Sequence, residues 1–253
     1  MVTLLETINL KKSFGENVVV NDVSFNVDDG EVVSLVGPNG AGKTSLVNLL
    51  SAYLTPDHGQ ILFKGRDITS LSVSERIKIG IARSFQIANL FDELSALDNI
   101  SLSISARSGK TYTFLSLADR DTGVQNEAGN ILSLFGLDDK SNIPAKELAQ
   151  GERKLLDVAV AYALKPSFLF LDEPTSGVST RDKAKIMDTI SSAVRNEGVT
   201  AAIIEHDMDI VFKYSDRIVV IADGRIIADG PPENIRDDKD VISVIMGSQG
   251  NEV

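Results

Sequence analysis

"EVVSLVGPNGAGKTSLVNLL", residues 31–50, joins an almost unbroken apolar run to a glycine-rich turn and then to a helical pattern. A run this apolar reads as a strand buried on both faces, which places it inside a parallel sheet. The turn "GPNGAGKT" (37–44) fits G-x-x-x-x-G-K-[ST]. In such a turn successive backbone N–H groups curl around phosphates, the lysine reaches the β- and γ-phosphates, and the hydroxyl binds Mg²⁺. That assigns Gly37, Pro38, Asn39, Gly40, Ala41, Gly42, Lys43 and Thr44, with Ser45 directly after them, to the phosphates of a nucleotide, and Thr44 also to Mg²⁺. A buried strand before the turn and a helix after it are the context the motif requires. The helix is expected to run from Gly42 to about Tyr53.

Other polar residues fall at the ends of similar apolar runs. "FLFLDEP" (168–174) sets two carboxylates at the end of a second buried strand. Asp172 is suited to hold Mg²⁺ through water. Glu173, the next residue, points elsewhere than the metal ligand and could polarise an attacking water. His206 follows "TAAII" (200–204) in "EHD", and strand C-termini in parallel sheets are where ligands bind. Gln86 ends "IARSFQ" (81–86), where its amide could reach Mg²⁺ and the lytic water. Phe14 in "KKSFGENV" (11–18) could stack on adenine or simply pack. His58, in "TPDHGQ" (55–60), reads as a solvated turn residue.

"LAQGERKLLDVAVAYAL" (148–164) opens with a polar, glycine-containing turn and continues as a helix with Leu155, Leu156, Val158, Ala159 and Tyr162 on its apolar face. Helices commonly start on a Ser, Thr or Asp cap. This one starts on Ala149, Gln150 and Gly151, with Glu152 in the first turn. Such a helix end, with a bare backbone at Gly151, suits an anion.

The 253 residues, 43% of them hydrophobic, suffice for one large domain or a domain with an inserted lobe. A net charge of −11 opposes broad binding to nucleic acid. The absence of cysteine excludes disulfides, thiolate zinc sites and a Cys nucleophile. The N-terminal apolar stretch is too short and broken for a signal peptide. No run approaches the ~18 apolar residues that span a bilayer. A soluble chain is expected, with any membrane role exerted through partners.

Alternation at residues 3–10 and 18–27 predicts antiparallel strands, and "GQILFKGRDI" (59–68) an edge hairpin. Residues 89–165 carry helical spacing without strong strands, which predicts an inserted helical lobe. Within it, residues 107–123 read as an irregular surface excursion. Beyond Pro166 a helix over 181–196 and a hairpin turning at Asp223–Gly224 are expected. The tail 247–253 reads as disordered.

The order of these elements resembles the ATP-binding cassette (ABC) ATPase family over essentially the whole chain. The resemblance implies an α/β fold: a P-loop NTPase core with an antiparallel β subdomain (1–88 and 166–253) and an inserted α-helical signature subdomain (89–165). It implies two ATPase subunits paired head to tail, as a homo- or heterodimer. The start of the 148–164 helix (Leu148, Ala149, Gln150, Gly151, Glu152) would then meet the γ-phosphate held by the partner subunit. The family's usual signature is L-S-G-G-Q, so Ala149 lacks the hydroxyl and backbone N–H groups must serve. Ser179 in "SGVS" stands where the family commonly has Asp.

"GIARSFQIANLFDELSALDNI" (80–100), "IIEHDMDIV" (203–211) and "IADGPPENIRDDKDVISVIMG" (227–247) are similar to ATPases of branched-chain amino-acid importers. Relatives of that subfamily move urea, short amides or other small polar solutes. The resemblance implies an ATP-hydrolysing motor using Mg²⁺ on the cytoplasmic face of the inner or plasma membrane. Its implied partners are transmembrane permease subunits and, indirectly, a solute-binding protein, with no nucleic acid. Leu90, Phe91, Leu94 and Leu97 could receive a permease helix or belong to the core. A soluble scaffold ATPase of the iron–sulfur assembly type and the ATPase of a lipopolysaccharide-type exporter are the alternatives. A simple P-loop kinase would leave Gln86, the signature helix and His206 without a task.

Overall fold

The computed structural model describes residues 2–84, 90–109 and 122–247. Among these residues the strands form two sheets. An antiparallel sheet of order β2-β1-β4-β5 contains β1 (Thr3–Phe14), β2 (Asn17–Asp28), β4 (His58–Phe63) and β5 (Arg66–Asp67). The other sheet has order β10-β9-β3-β8-β7-β6. Its strands are β3 (Val32–Val36), β6 (Ile81–Arg83), β7 (Phe168–Asp172), β8 (Thr200–Ile204), β9 (Arg217–Ala222) and β10 (Arg225–Gly230). All its pairings are parallel except β9–β10.

The apolar runs have a direct physical cause, because each central strand feeds two cores. Val33 and Leu35, Phe168 and Phe170, and Ala202 and Ile204 point to the core shared with the antiparallel sheet and α1 (Lys43–Leu50). Their neighbours Leu169, Leu171, Ala201 and Ile203 face the core made with the helices on the other side. A strand buried on both faces leaves charged side chains no place until its end, and the one polar residue inside β3, Ser34, is buried with its hydroxyl 2.5 Å from that of Ser215. The charged residues at the ends of β7 and β8 therefore collect at one edge of the sheet.

The helical segment shares that second core. It comprises α3 (Ala96–Arg107), α4 (Thr122–Leu134) and α5 (Gln150–Tyr162), and α6 (Thr180–Asn196) packs with it. Leu155, Leu156, Val158 and Ala159 of α5 are buried as expected, while Tyr162 is half-buried with its ring edge-on to Phe135. The residues 110–121, most of the excursion expected over 107–123, lie outside the described residues, as do Gln86 and the tail from 248.

Several boundaries differ from expectation. β1 continues past Leu10 to Phe14, although Lys11, Lys12 and Ser13 offer no apolar alternation. Pairing to β2 and to His58 of β4, plus the Ser13 N–H donated to Asp57 Oδ2 at 2.7 Å, carries the strand onward. His58 accordingly begins a strand instead of sitting in a turn, and it is solvent-exposed as anticipated. α1 stops at Leu50, short of Tyr53, with Ala52 in the left-handed region at φ 65°. The hairpin turns where expected, with positive φ at both Asp223 (48°) and Gly224 (73°), the signature of a type I′ turn.

The short helices α2 (Val73–Lys78), α7 (Met208–Tyr214), α8 (Pro232–Asp237) and α9 (Lys239–Gly247) were not anticipated. α2 did carry a local signal. Ser72 and Glu75 form a reciprocal capping box, with the Ser72 N–H donating to Glu75 Oε2 at 2.8 Å.

α2 also supplies Arg76, which is 1% exposed. Its guanidinium donates to the carbonyls of Leu49 and Leu50 at 2.7 Å, and to those of Ile68 and Thr69. It thus closes the C-terminal end of the helix that begins at the phosphate loop. Burial pushes the Arg76 pKa down to about 10, which still leaves it charged at neutral pH. Arg76→Met removes the donors and leaves buried carbonyls unpaired, so stability should fall by on the order of 3 kcal/mol. Chemical denaturation checks this, and a loss below ~1 kcal/mol would contradict the capping role.

Candidate functional site

Strand order brings the scattered polar residues together. β8 lies between β3 and β7, with Ile204 in register with Leu35 on one side and Asp172 on the other. The glycine turn leaves β3, the Asp172–Glu173 pair ends β7, and Glu205–His206 follow β8. Three separate stretches of sequence thus meet at adjacent C-terminal strand ends, the usual ligand edge of a parallel sheet.

The glycines of the turn are required by their surroundings. Gly37 has φ 150°, and a Cβ there would lie 2.0 Å from the Ile221 carbonyl oxygen. Gly42 has φ 100°, and a Cβ there would lie 2.2 Å from the Val19 carbonyl oxygen. Gly42 is also the N-cap of α1, and no side chain caps it. The first-turn N–H groups of α1 are therefore left to an anion or water.

Lys43 is buried, and its ammonium donates to the carbonyls of Gly37 at 2.6 Å and Pro38 at 2.8 Å. Burial lowers its pKa from the ordinary value, and the nearby Glu173 charge opposes that shift. Thr44 is exposed in the first turn of the helix. Its hydroxyl and the Asp172 carboxylate are hard oxygen donors of the kind Mg²⁺ takes, usually few in number and completed by water and phosphate. The residues present fit that ion.

Glu173 has φ 47°, an uncommon conformation for a residue with a side chain. Its N–H donates to the Ile204 carbonyl at 2.9 Å. The two carboxylates diverge: Asp172 Oδ2 lies 2.6 Å from Arg83 Nη2, whereas Glu173 Oε1 lies 3.1 Å from His206 Nε2. His206 is in turn fixed through both neighbours. Glu205 Oε1 accepts from the Thr175 N–H at 2.9 Å and from its hydroxyl at 2.6 Å, and Lys183 donates to Asp207 at 2.8 Å. That bond from Lys183 holds the Asp207 pKa below the usual carboxylate value.

Phe14 is 51% exposed at the end of β1, with the Lys12 ammonium 5.8 Å from its ring centre. It lies outside the hydrophobic clusters, so of the two readings offered by the sequence, packing loses its support. Around Leu90 the readings divide. Leu90 and Leu97 pack against the helical core, whereas Phe91 is 58% exposed. Asn99 holds that turn, accepting from the Phe91 N–H at 2.8 Å and donating to the Ser95 carbonyl at 2.9 Å.

At the start of α5, Leu148 is buried while Ala149 and Gln150 are exposed. Glu152 reaches back to accept the Ala149 N–H at 2.9 Å. A Cβ on Gly151 would meet Cδ1 of Ile186 in this same chain at 3.1 Å. A side chain at Gly151 would thus press on α6, so the bare backbone there also eases packing within this chain. Gln150 lies against Gly177, where a Cβ would fall 2.1 Å from its Nε2. Ser179 has a local role as the N-cap of α6, accepting from the Asp182 N–H.

Lys154, Arg83 and Glu205 escaped the reading of the sequence. Lys154 sits on the buried face of α5 and donates to the Glu173 carbonyl at 3.1 Å. Desolvation lowers its pKa against the pull of Asp157, Glu173, Glu205 and Asp172. A lysine and an aspartate amid the apolar positions of α5 were the available signal.

A family model described as "ABC transporter" matches residues 20–176. The chain is 32% identical over 252 residues to a "Probable branched-chain amino acid transport ATP-binding protein LivG" of Archaeoglobus fulgidus, covering 99% of this chain and 98% of that protein. It is 34% identical over 249 residues to the "High-affinity branched-chain amino acid transport ATP-binding protein BraF" of Pseudomonas aeruginosa, covering 96% and 98%. Among solved structures, the ADP conformation of MJ1267, an ATP-binding cassette of an ABC transporter, aligns with a TM-score of 0.87 at 30% identity, over 98% of this chain and 100% of that one. On the family model's match and on relatives of more than 30% identity over nearly the whole chain, the chain belongs to the ABC transporter family.

Proposed function

We propose that this chain hydrolyses ATP as the motor subunit of an importer for branched-chain amino acids or a related small polar solute. The carrying observation is Glu173 Oε1 held 3.1 Å from His206 Nε2 beside the phosphate loop, in a chain matched almost end to end by branched-chain amino-acid transport ATP-binding proteins. Residues 37–45 bind the phosphates through backbone N–H groups and the Lys43 ammonium, and Phe14 stacks on the base. Thr44, Asp172 and Gln86 would hold Mg²⁺, which would supply neutralisation of the phosphate charge when bound.

Glu173 accepts the proton of the attacking water, and His206 fixes the orientation of that carboxylate. The α5 start, from Leu148 to Glu152, meets the nucleotide of a partner ATPase subunit with the N–H groups of its first helical turn, the Ala149 N–H being held by Glu152. The helical segment 89–165 then transmits closure to permease subunits on the cytoplasmic face of the membrane, with Phe91 among the residues facing them. Among the described residues no helix is long and apolar enough to cross a membrane. The relatives named above favour neither the scaffold nor the exporter reading.

The test is co-expression with permease subunits of a branched-chain amino-acid importer from the same organism. The reading expects co-purification with them and ATP hydrolysis stimulated by solute-loaded binding protein. Co-purification with soluble partners alone would contradict it.

A further inference from the structure

Arg83 closes β6 and has no role in the functional reading above, yet it touches two of the elements that reading assigns to the metal. Its Nη2 lies 2.6 Å from Asp172 Oδ2. On the other side Nη1 lies 2.6 Å from Asn48 Oδ1 and 3.3 Å from Ser51 Oγ. Asn48 is on α1, whose first turn carries Lys43 and Thr44, and Ser51 is the C-cap of that helix. The guanidinium also stands over the Tyr53 ring, 5.7 Å from its centre. The side chains of Arg83 and Asp172 are only 9% and 7% exposed.

A buried ion pair of this kind is weak evidence for stability, since an apolar pair of the same volume serves as well or better. Its geometry is informative in another way. The planar fork of an arginine can engage two acceptors at a fixed separation, which a lysine cannot do. Here the two acceptors belong to β7, which carries the metal-binding carboxylate, and to α1, which begins with the metal-binding hydroxyl. One Asp172 oxygen, Oδ2, is committed to Arg83, which fixes the plane of the carboxylate that would serve the metal.

We infer that Arg83 is a positioning residue for the divalent-cation site, locking the Asp172 carboxylate and fixing the distance between β7 and the phosphate-loop helix. The inference rests on the assignment of Thr44 and Asp172 to Mg²⁺. Removing Arg83 also removes a positive charge near the cation, which by itself would favour metal binding. The two effects therefore have opposite signs, and loss of carboxylate orientation is the one that dominates. Partners of this type that orient metal ligands are commonly worth about 10–100-fold in metal affinity.

The experiment is an EPR titration of Mn²⁺ into the full chain with a saturating non-hydrolysable ATP analogue, alongside analogue binding measured in EDTA. Arg83→Met should weaken Mn²⁺ by about tenfold or more. Its metal-free analogue affinity should stay within about twofold of wild type. Arg83→Lys keeps the charge but cannot bridge both acceptors, and should fall between. Asn48→Leu leaves the Arg83–Asp172 contact and removes the shorter of the two contacts on the α1 side, keeping the longer one to Ser51, so it too should weaken Mn²⁺, by a smaller factor. It also keeps the test open should Arg83→Met not fold.

Mn²⁺ affinity equal to or tighter than wild type in folded Arg83→Met would overturn the inference. If that variant does not fold, unchanged Mn²⁺ affinity in Asn48→Leu would do the same. Equal loss of metal-free analogue binding would also overturn it, by showing a general structural role. Wild-type chain that binds the analogue while these variants fail to differ isolates the fault to Arg83. Wild-type chain that binds no analogue would sink the functional reading and this inference with it.

Discussion

Lys43→Ala is expected to weaken ATP binding by about 10²–10³-fold, the loss of one or two charge-assisted hydrogen bonds. The ammonium faces two tasks in the same small space. It supplies the cation that neutralises the β- and γ-phosphates, and it donates to the Gly37 and Pro38 carbonyls that shape the turn. Alanine removes both, and the surrounding backbone cannot compensate because Gly37 and Gly42 are already pressed against Ile221 and Val19. Equilibrium titration with a fluorescent ATP analogue checks this. Affinity within a few-fold of wild type would take the turn out of the account.

Glu173→Gln should separate binding from chemistry. The amide keeps the shape and one hydrogen-bonding oxygen but cannot accept the proton of the attacking water, so hydrolysis should fall by about 10²-fold or more. ATP should still bind with Mg²⁺, because the phosphate loop, Thr44 and Asp172 are untouched. The unspent nucleotide should hold two subunits together, giving a dimer on size-exclusion chromatography in ATP but not in ADP. Asp172→Asn should behave differently. It disturbs the metal-binding carboxylate and its 2.6 Å contact with Arg83, so hydrolysis should fall without a stable dimer. Identical behaviour of the two variants would show that the carboxylates do not divide the work as their diverging contacts indicate.

The parts of the site that were legible in the sequence share a physical cause. β3, β7 and β8 are buried on both faces, so charged residues wait for the strand ends, and Asp172 and Glu205–His206 stand out directly after apolar runs. The turn at 37–44 is equally plain, because close backbone approach to Ile221 and Val19 admits only glycine at two places.

What stayed hidden depends on partners distant in the chain. The pairing of Arg83 with Asp172 spans 89 residues, and nothing local to "GIARSF" announces it. Lys154 falls amid the apolar positions of α5, but its partner, the Glu173 carbonyl just after β7, is 19 residues away and cannot be read locally. Gly151 gives a helix start suited to an anion, and the Ile186 side chain packed near it comes from α6, 35 residues on. Short helices such as α7 and α8 have too few residues to display a period, and their stability comes from the core they cover beneath Ile210, Val211 and Ile235.

The central claim is that this chain binds ATP at its own phosphate loop and uses Glu173 to hydrolyse it. Phosphate release by purified wild-type and Glu173→Gln chains, at nucleotide concentrations shown to saturate both, tests that most directly. The account predicts Mg²⁺-dependent release from wild type and a rate lower by about 10²-fold or more from the variant at equal occupancy. Equal rates from the two saturated proteins would contradict it.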